Sequence, residues 1–182
     1  MPRNKLLIGL ILLFIAQIAV PVSMISERET ILEQGREFRF VTRPIDPTDY
    51  MRGKYVRLFM PTEPAIIRDT TQIPEELFAW LSTGRDGFAR VDSLTANEPK
   101  DGDYLRVRME YKRGNMVNFA FPFDRFYMEE TKAPAAEDLY MKLPDSVTSF
   151  VKVRVLNGEA VIENVFVGGR PVGQLAAEHL MK

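Results

Sequence analysis

Residues Leu6 to Val22 read LLIGLILLFIAQIAVPV, an apolar run broken only by Gln17. No other feature constrains the folding of this chain as strongly. As a helix the run is about 26 Å long, or about 30 Å if it continues to Ile25, at 1.5 Å rise per residue. Both lengths suit the hydrocarbon core of a bilayer. An amphipathic core helix would carry a polar stripe, and a single glutamine does not make one. Arg3 and Lys5 precede the run and the longer part of the chain comes after it. The positive-inside bias therefore expects residues 1–5 in the cytoplasm, residues 6–25 anchored in membrane lipid, and the rest across the membrane. A cleaved signal peptide is the competing reading, since it shares the basic start and apolar middle. Its cleavage sites are poor: a cut after Ala19 leaves Gln17 three residues back, and a cut after Val22 offers two valines. Lipoprotein processing is excluded, because the chain has no cysteine.

That missing cysteine also removes disulfides, thiolate catalysis and cysteine zinc sites. The chain beyond the anchor is long enough for one domain with a substantial core held by packing alone. Lys plus Arg (24) nearly balances Asp plus Glu (25), without long like-charge runs. A nucleic-acid partner, which calls for a basic stripe, is not expected. Nor is an electrostatic patch for the membrane surface.

Past the anchor, residues 26–36 read as a stalk, with Glu27 to Gln34 forming a short polar helix ended by Gly35. A period of two then sets in and defines a β-rich domain over 37–173. Phe38 and Phe40 alternate with Arg39 and Val41, and Tyr55 to Met60 is a compact strand. Leu77 to Ser82 and Phe88 to Leu94 flank Thr83 to Gly87, whose glycines mark a hairpin loop. Tyr104 to Lys112 and Met116 to Phe121 flank a second hairpin at Arg113-Gly114-Asn115. Val147, Ser149, Val151, Val153 and Val155 share one face of a long strand, and Asn157-Gly158 turns it into Ala160 to Val167. Ala135, Leu139 and Leu143 predict a helix between Pro134 and Pro144, and the tail 174–182 holds a second candidate. The expected fold is mainly β: an antiparallel sandwich or barrel-like sheet with one or two short helices, behind an N-terminal transmembrane helix.

The densest polar segment is Arg43 to Gly53, RPIDPTDYMRG. Asp46 can cap a short helix with Pro47 in its first position, Asp49 in its first turn and Gly53 closing it. That structural role leaves Arg43 and Arg52 unexplained. They either pair with Asp46 and Asp49 or present guanidinium groups to an anionic partner.

The stretch RPIDPTDYMRGKYVRLFM resembles the signature region of a bacterial membrane-anchored family named after its GDYXXLXY motif. Gly53, Tyr55 and Leu58 match the motif, whereas Lys54 stands in place of the aspartate and Met60 in place of the last tyrosine. Asp124 to Glu130, DRFYMEE, is similar to a second family block through Arg125, Tyr127 and Glu130, and Val147 to Val167 fits the closing strands. The resemblance implies a single-anchor extracytoplasmic protein without assigned activity, encoded beside multi-helix membrane proteins. On this basis the candidate binding residues are Arg43, Asp46, Asp49, Arg52, Gly53, Tyr55, Leu58, Arg125, Tyr127 and Glu130. Gly102 to Met109 echoes Gly53 to Met60 in its Gly, Tyr, Arg and Met positions, as two amphipathic strands entered through glycine turns do.

Catalytic patterns fare poorly. The only histidine, His179, has no G-x-S-x-G elbow to serve and reads as exposed helix surface. Ser149 and Lys152 fit S-x-x-K, but on a strand that odd spacing sends them to opposite faces. No catalytic residue, metal ligand or cofactor is assigned. The expectation is a non-enzymatic accessory module of the bacterial inner membrane, single-pass with its domain in the periplasm, partnering a multi-helix integral membrane protein. The alternative is an envelope carbohydrate-binding protein or a carboxylate-based hydrolase. It would use Asp46, Asp49, Asp124 and Glu130 with Tyr50, Tyr55, Trp80, Tyr104 and Tyr127 as aromatic contacts.

Overall fold

In a computed structural model, residues 3–44, 55–67, 74–129, 131–142 and 147–181 are described. The apolar run and the polar stalk form one helix, α1 (Arg3–Gln34), which passes through Pro21 without ending. Its segment from Gly9 to Gln34 contains an 18-residue window of mean hydropathy 2.2 that is wholly unburied. That is long and apolar enough to cross a membrane, and a signal sequence meets the same criteria.

Gly35 ends the helix, as its sequence position predicts. Its N–H donates to the Ile31 carbonyl at 2.9 Å, and the chain turns directly into β1 (Arg36–Pro44). A Cβ at position 35 would lie 2.3 Å from that carbonyl oxygen and 3.1 Å from both Arg154 Cβ and the Val155 nitrogen. Only glycine lets the last helical turn sit this close to the sheet. Ile31 is buried there, and α1 packs beside Arg154 and Val155, next to the Asn157-Gly158 turn. The stalk is therefore a stiff extension of the helix rather than a loose linker.

Two antiparallel sheets come next. One runs in the order β11-β10-β9-β1-β2-β8, with β2 (Tyr55–Phe59), β8 (Arg125–Tyr127), β9 (Ser149–Leu156), β10 (Glu159–Val167) and β11 (Arg170–Pro171). The other runs β3-β7-β6-β4-β5, with β3 (Ala65–Ile66), β4 (Glu76–Thr83), β5 (Ala89–Thr95), β6 (Tyr104–Arg113) and β7 (Met116–Ala120). A parallel bridge between Ile67 and Leu94 links the outer strands of this second sheet and draws it toward a barrel. The mainly β, antiparallel expectation holds, with both architectures it named present side by side.

Period-two patterning explains the core. Ser149, Val151, Val153 and Val155 are buried while their neighbours are half-exposed, and Phe38 and Phe40 face the same interior from β1. Leu77, Ala79, Leu105, Val107, Val117 and Phe119 meet them from the second sheet. The Asn157-Gly158 turn has φ of 50° and 80°, the pair of positive values a two-residue hairpin of this hand requires. A Cβ at Gly158 would stand 2.8 Å from the Tyr104 ring. The Gly158 carbonyl accepts from the Arg106 N–H at 2.8 Å, tying this turn to the other sheet.

The predicted internal helix is α2 (Ala133–Met141), and the tail is α3 (Val172–Leu180). Leu143 and Pro144, expected to close the first of these, lie outside the described residues. Val172 and Ala176 of α3 are fully buried beside Ala136 of α2. The candidate helix in the tail is thus packed against α2 through Val172 and Ala176. The echoing segments diverge: β2 lies in the first sheet and β6 in the second.

Candidate functional site

The two sequence blocks around Tyr55 and Tyr127 become neighbouring strands. The signature strand β2 lies between β1 and β8, with Tyr55 opposite Tyr127, Val56 opposite Phe126 and Arg57 opposite Arg125. On its other side Phe59 stands opposite Arg43 and Leu58 opposite Pro44. Residues directly opposite in an antiparallel pair share a face. Leu58 is 3% exposed and belongs to the core, so the motif leucine anchors the strand and offers nothing to a partner. Phe59 and Tyr127, of the other parity, are 46% and 66% exposed. Arg43 is exposed beside Phe59, and among the described residues no hydrogen bond or ion pair engages it. Arg125 is half-buried, its Nε 3.5 Å from the Asp124 carboxylate. Around the motif, the described side chains Arg43, Phe59 and Tyr127 are exposed and Arg125 is half-buried. Asp46, Asp49, Arg52, Gly53 and Glu130 lie outside the described residues, as do Tyr50 and Lys54.

Nearer the helix, the outward face of the same sheet is closed by ion pairs. Glu163 meets Arg154 at 2.7 Å and Lys152 at 3.1 Å, while Glu37 meets Arg39 at 2.9 Å and Lys152 at 3.4 Å. Burial pushes both carboxyls up. The hydrogen bonds and charges of Arg39 and Lys152 at Glu37, and of Arg154 and Lys152 at Glu163, outweigh it and hold both below the ordinary glutamate value. This mutually satisfied cluster is a cross-strand clasp and is not free to bind anything else. Lys152 lies on that outer face while Ser149 is buried, its Oγ donating to the Thr42 carbonyl at 2.7 Å. The two therefore stand on opposite faces, as strand geometry requires.

The other candidates also separate. His179 is exposed on the last turn of α3. Tyr104 is buried, its hydroxyl donating to Glu98 at 3.2 Å; burial, reinforced by that carboxylate, pushes the phenol up. Trp80 packs against Gly102, where a Cβ would come within 2.7 Å of the indole. The Tyr104 ring is buried, whereas Trp80 is half-exposed. Among the described residues no group of three acidic or histidine side chains converges on a metal position.

A cavity of about 660 Å³ opens beside Arg43. Its floor is aromatic: Phe40 stands edge-on to Phe121 at 4.9 Å, and Phe119 edge-on to Phe121 at 5.5 Å. Met60 to Glu63 form one wall, and Phe88 to Asp92 form the other. Sequence patterning gives no sign of it, because it arises where strands from different parts of the chain diverge.

The family model described as GDYXXLXY protein matches residues 17–165, most of the chain. This chain belongs to the GDYXXLXY family. The match takes in the second half of the apolar helix, the signature strand β2, the β8 block and nearly all of the β9–β10 hairpin. No curated protein and no solved structure matches the chain. In this GDYXXLXY protein the motif strand is central to a three-strand surface, with its leucine inward and the position after it outward.

Proposed function

We propose that this GDYXXLXY protein is a non-enzymatic accessory module of a bacterial inner membrane, held by α1 with its β-rich body in the periplasm. Its partner is an integral membrane protein, met through the outward face of β1, β2 and β8. The observation that carries this reading is the junction at Gly35, where an unburied apolar helix is fused without slack to the body. A rigid tether confines search to the membrane plane and fixes which surface the body presents. High effective concentration then keeps even a weak interface occupied. Basic residues ahead of the helix favour the orientation. Arginine and tyrosine are the residue types most enriched where interfaces concentrate their binding energy.

Co-purification in mild detergent tests the reading. A tagged chain is expected to retain one multi-helix membrane protein in near-stoichiometric amount. The double variant Arg43→Ala, Tyr127→Ala is expected to lose most of it, since truncating two anchor residues costs about 2 kcal/mol or more at an interface. Both side chains are exposed, so the melting curve should stay within a degree or two of the parent. Undiminished recovery with the double variant would refute the assigned surface.

A further inference from the structure

The cavity beside Arg43 is an open seam in the second sheet. Strand β5 pairs with β4 along one side for its whole length, Thr83 opposite Ala89 through Phe78 opposite Thr95. On its other side, among the described residues, one bridge from Ile67 to Leu94 draws the sheet toward a barrel. Ahead of that bridge, residues 60–63 swing away from 89–92 and the cavity lies between them. Residues 89–92 therefore present an unpaired strand edge, with no backbone partner on that side among the described residues. Such an edge readily accepts another strand.

We propose that this seam is a docking groove for an extended segment of a partner polypeptide, which adds to β5 as a further strand and places a carboxylate against Arg43. The partner itself rests on the accessory-module reading. Main-chain hydrogen bonds along β5 supply the pairing, and side chains at alternate positions supply selectivity. An inward-pointing apolar side chain meets Phe40, Phe119 and Phe121. Charge at the rim selects the polarity of the segment. Arg90 is held by Asp86 at 3.1 Å, whereas Asp92, which accepts from Ser82 at 2.7 Å, and the exposed Glu63 on the opposite wall keep their negative charge, so the segment's carboxylate belongs at the Arg43 end and a cation at the other. Arg43 has no counter-ion among the described residues, and a carboxylate forms a charge-assisted pair with it. The extra residue at Asp92, where the β4–β5 register shifts, interrupts the edge and limits indiscriminate pairing. The free edge of four residues spans about 13 Å, so the docked segment is short.

The probe is a fluorescein-labelled heptapeptide of alternating threonine and phenylalanine with aspartate at one end and lysine at the other, titrated into the full chain in detergent micelles. Saturable binding in the micromolar range is expected. Methylating alternate backbone nitrogens of the peptide should weaken it at least tenfold, as should Arg43→Glu and the seam-filling Ala89→Trp. Should Ala89→Trp fail to fold by far-ultraviolet circular dichroism, the methylated peptide, which leaves the protein untouched, still decides. No saturable binding up to millimolar peptide, or binding indifferent to methylation and to Arg43→Glu, overturns the proposal. Retention of a membrane protein by the Ala89→Trp chain would leave the accessory reading standing while removing the seam from it. Peptide binding without any co-purified membrane protein would do the reverse.

Discussion

Gly35→Ala should leave the β-rich body folded and yet disconnect it from the helix. The added carbon meets a backbone carbonyl oxygen at 2.3 Å, an atom that cannot rotate aside. Relief requires lengthening the Gly35 to Ile31 hydrogen bond or lifting the helix off Arg154 and Val155. Either movement exposes Ile31, so the junction loses about 2–3 kcal/mol from combined strain and lost packing. The body keeps its own core and should unfold at nearly the parental temperature. With no native cysteine to compete, spin labels at Glu27→Cys and Arg108→Cys report the coupling directly. The parent should give a narrow inter-label distance distribution and Gly35→Ala a broad one. Equal widths would mean that the junction is not rigid.

Phe38→Ala should be the most damaging change inside the body. Phe38 is 2% exposed, opposite Val153 in register, and is among the largest fully buried side chains between the sheets. Truncation removes its transfer free energy and leaves a cavity that a two-sheet core closes poorly, about 3–5 kcal/mol together. Against the roughly 5–15 kcal/mol that holds a domain of this kind, such a loss takes much of the margin. Urea unfolding of the full chain in detergent should show the midpoint falling sharply with little change in slope. Tyr127→Ala, on the outer face, should move it by no more than about 0.5 kcal/mol. Comparable shifts for the two variants would contradict the assignment of inner and outer faces.

Much of this fold is legible in single residues. Asn157-Gly158 announces its hairpin because few other pairs accept two positive φ values. The valine alternation from 147 to 155 announces which face of β9 is buried. Gly35 announces the helix end, although the polar stalk gives no hint that it continues the apolar helix without a break. The short strands β3, β8 and β11 are invisible to pattern, since two or three residues cannot show a period. Nor does local patterning say which sheet a strand joins. The chain does not signal that β1 keeps β9 along residues 36–42 and, among the described residues, meets β2 at Arg43 and Pro44. The candidate site divides on the same ground. Resemblance picks out β2 and β8 separately, and their adjacency is a tertiary fact. Leu58 stands among the binding candidates only while a motif position is considered without its strand parity, which turns it inward. The seam beside β5 depends on the bridge from Ile67 to Leu94, which no local signal encodes.

The proposed anchorage and orientation of the body are most directly tested by single-cysteine labelling of Tyr127→Cys with a membrane-impermeant maleimide on intact spheroplasts. A retained helix predicts strong labelling before lysis, on a product of full-length mass that stays with the membrane after alkaline extraction. A labelled product lacking its first twenty or so residues and released into solution, or labelling that emerges only after lysis, would contradict it.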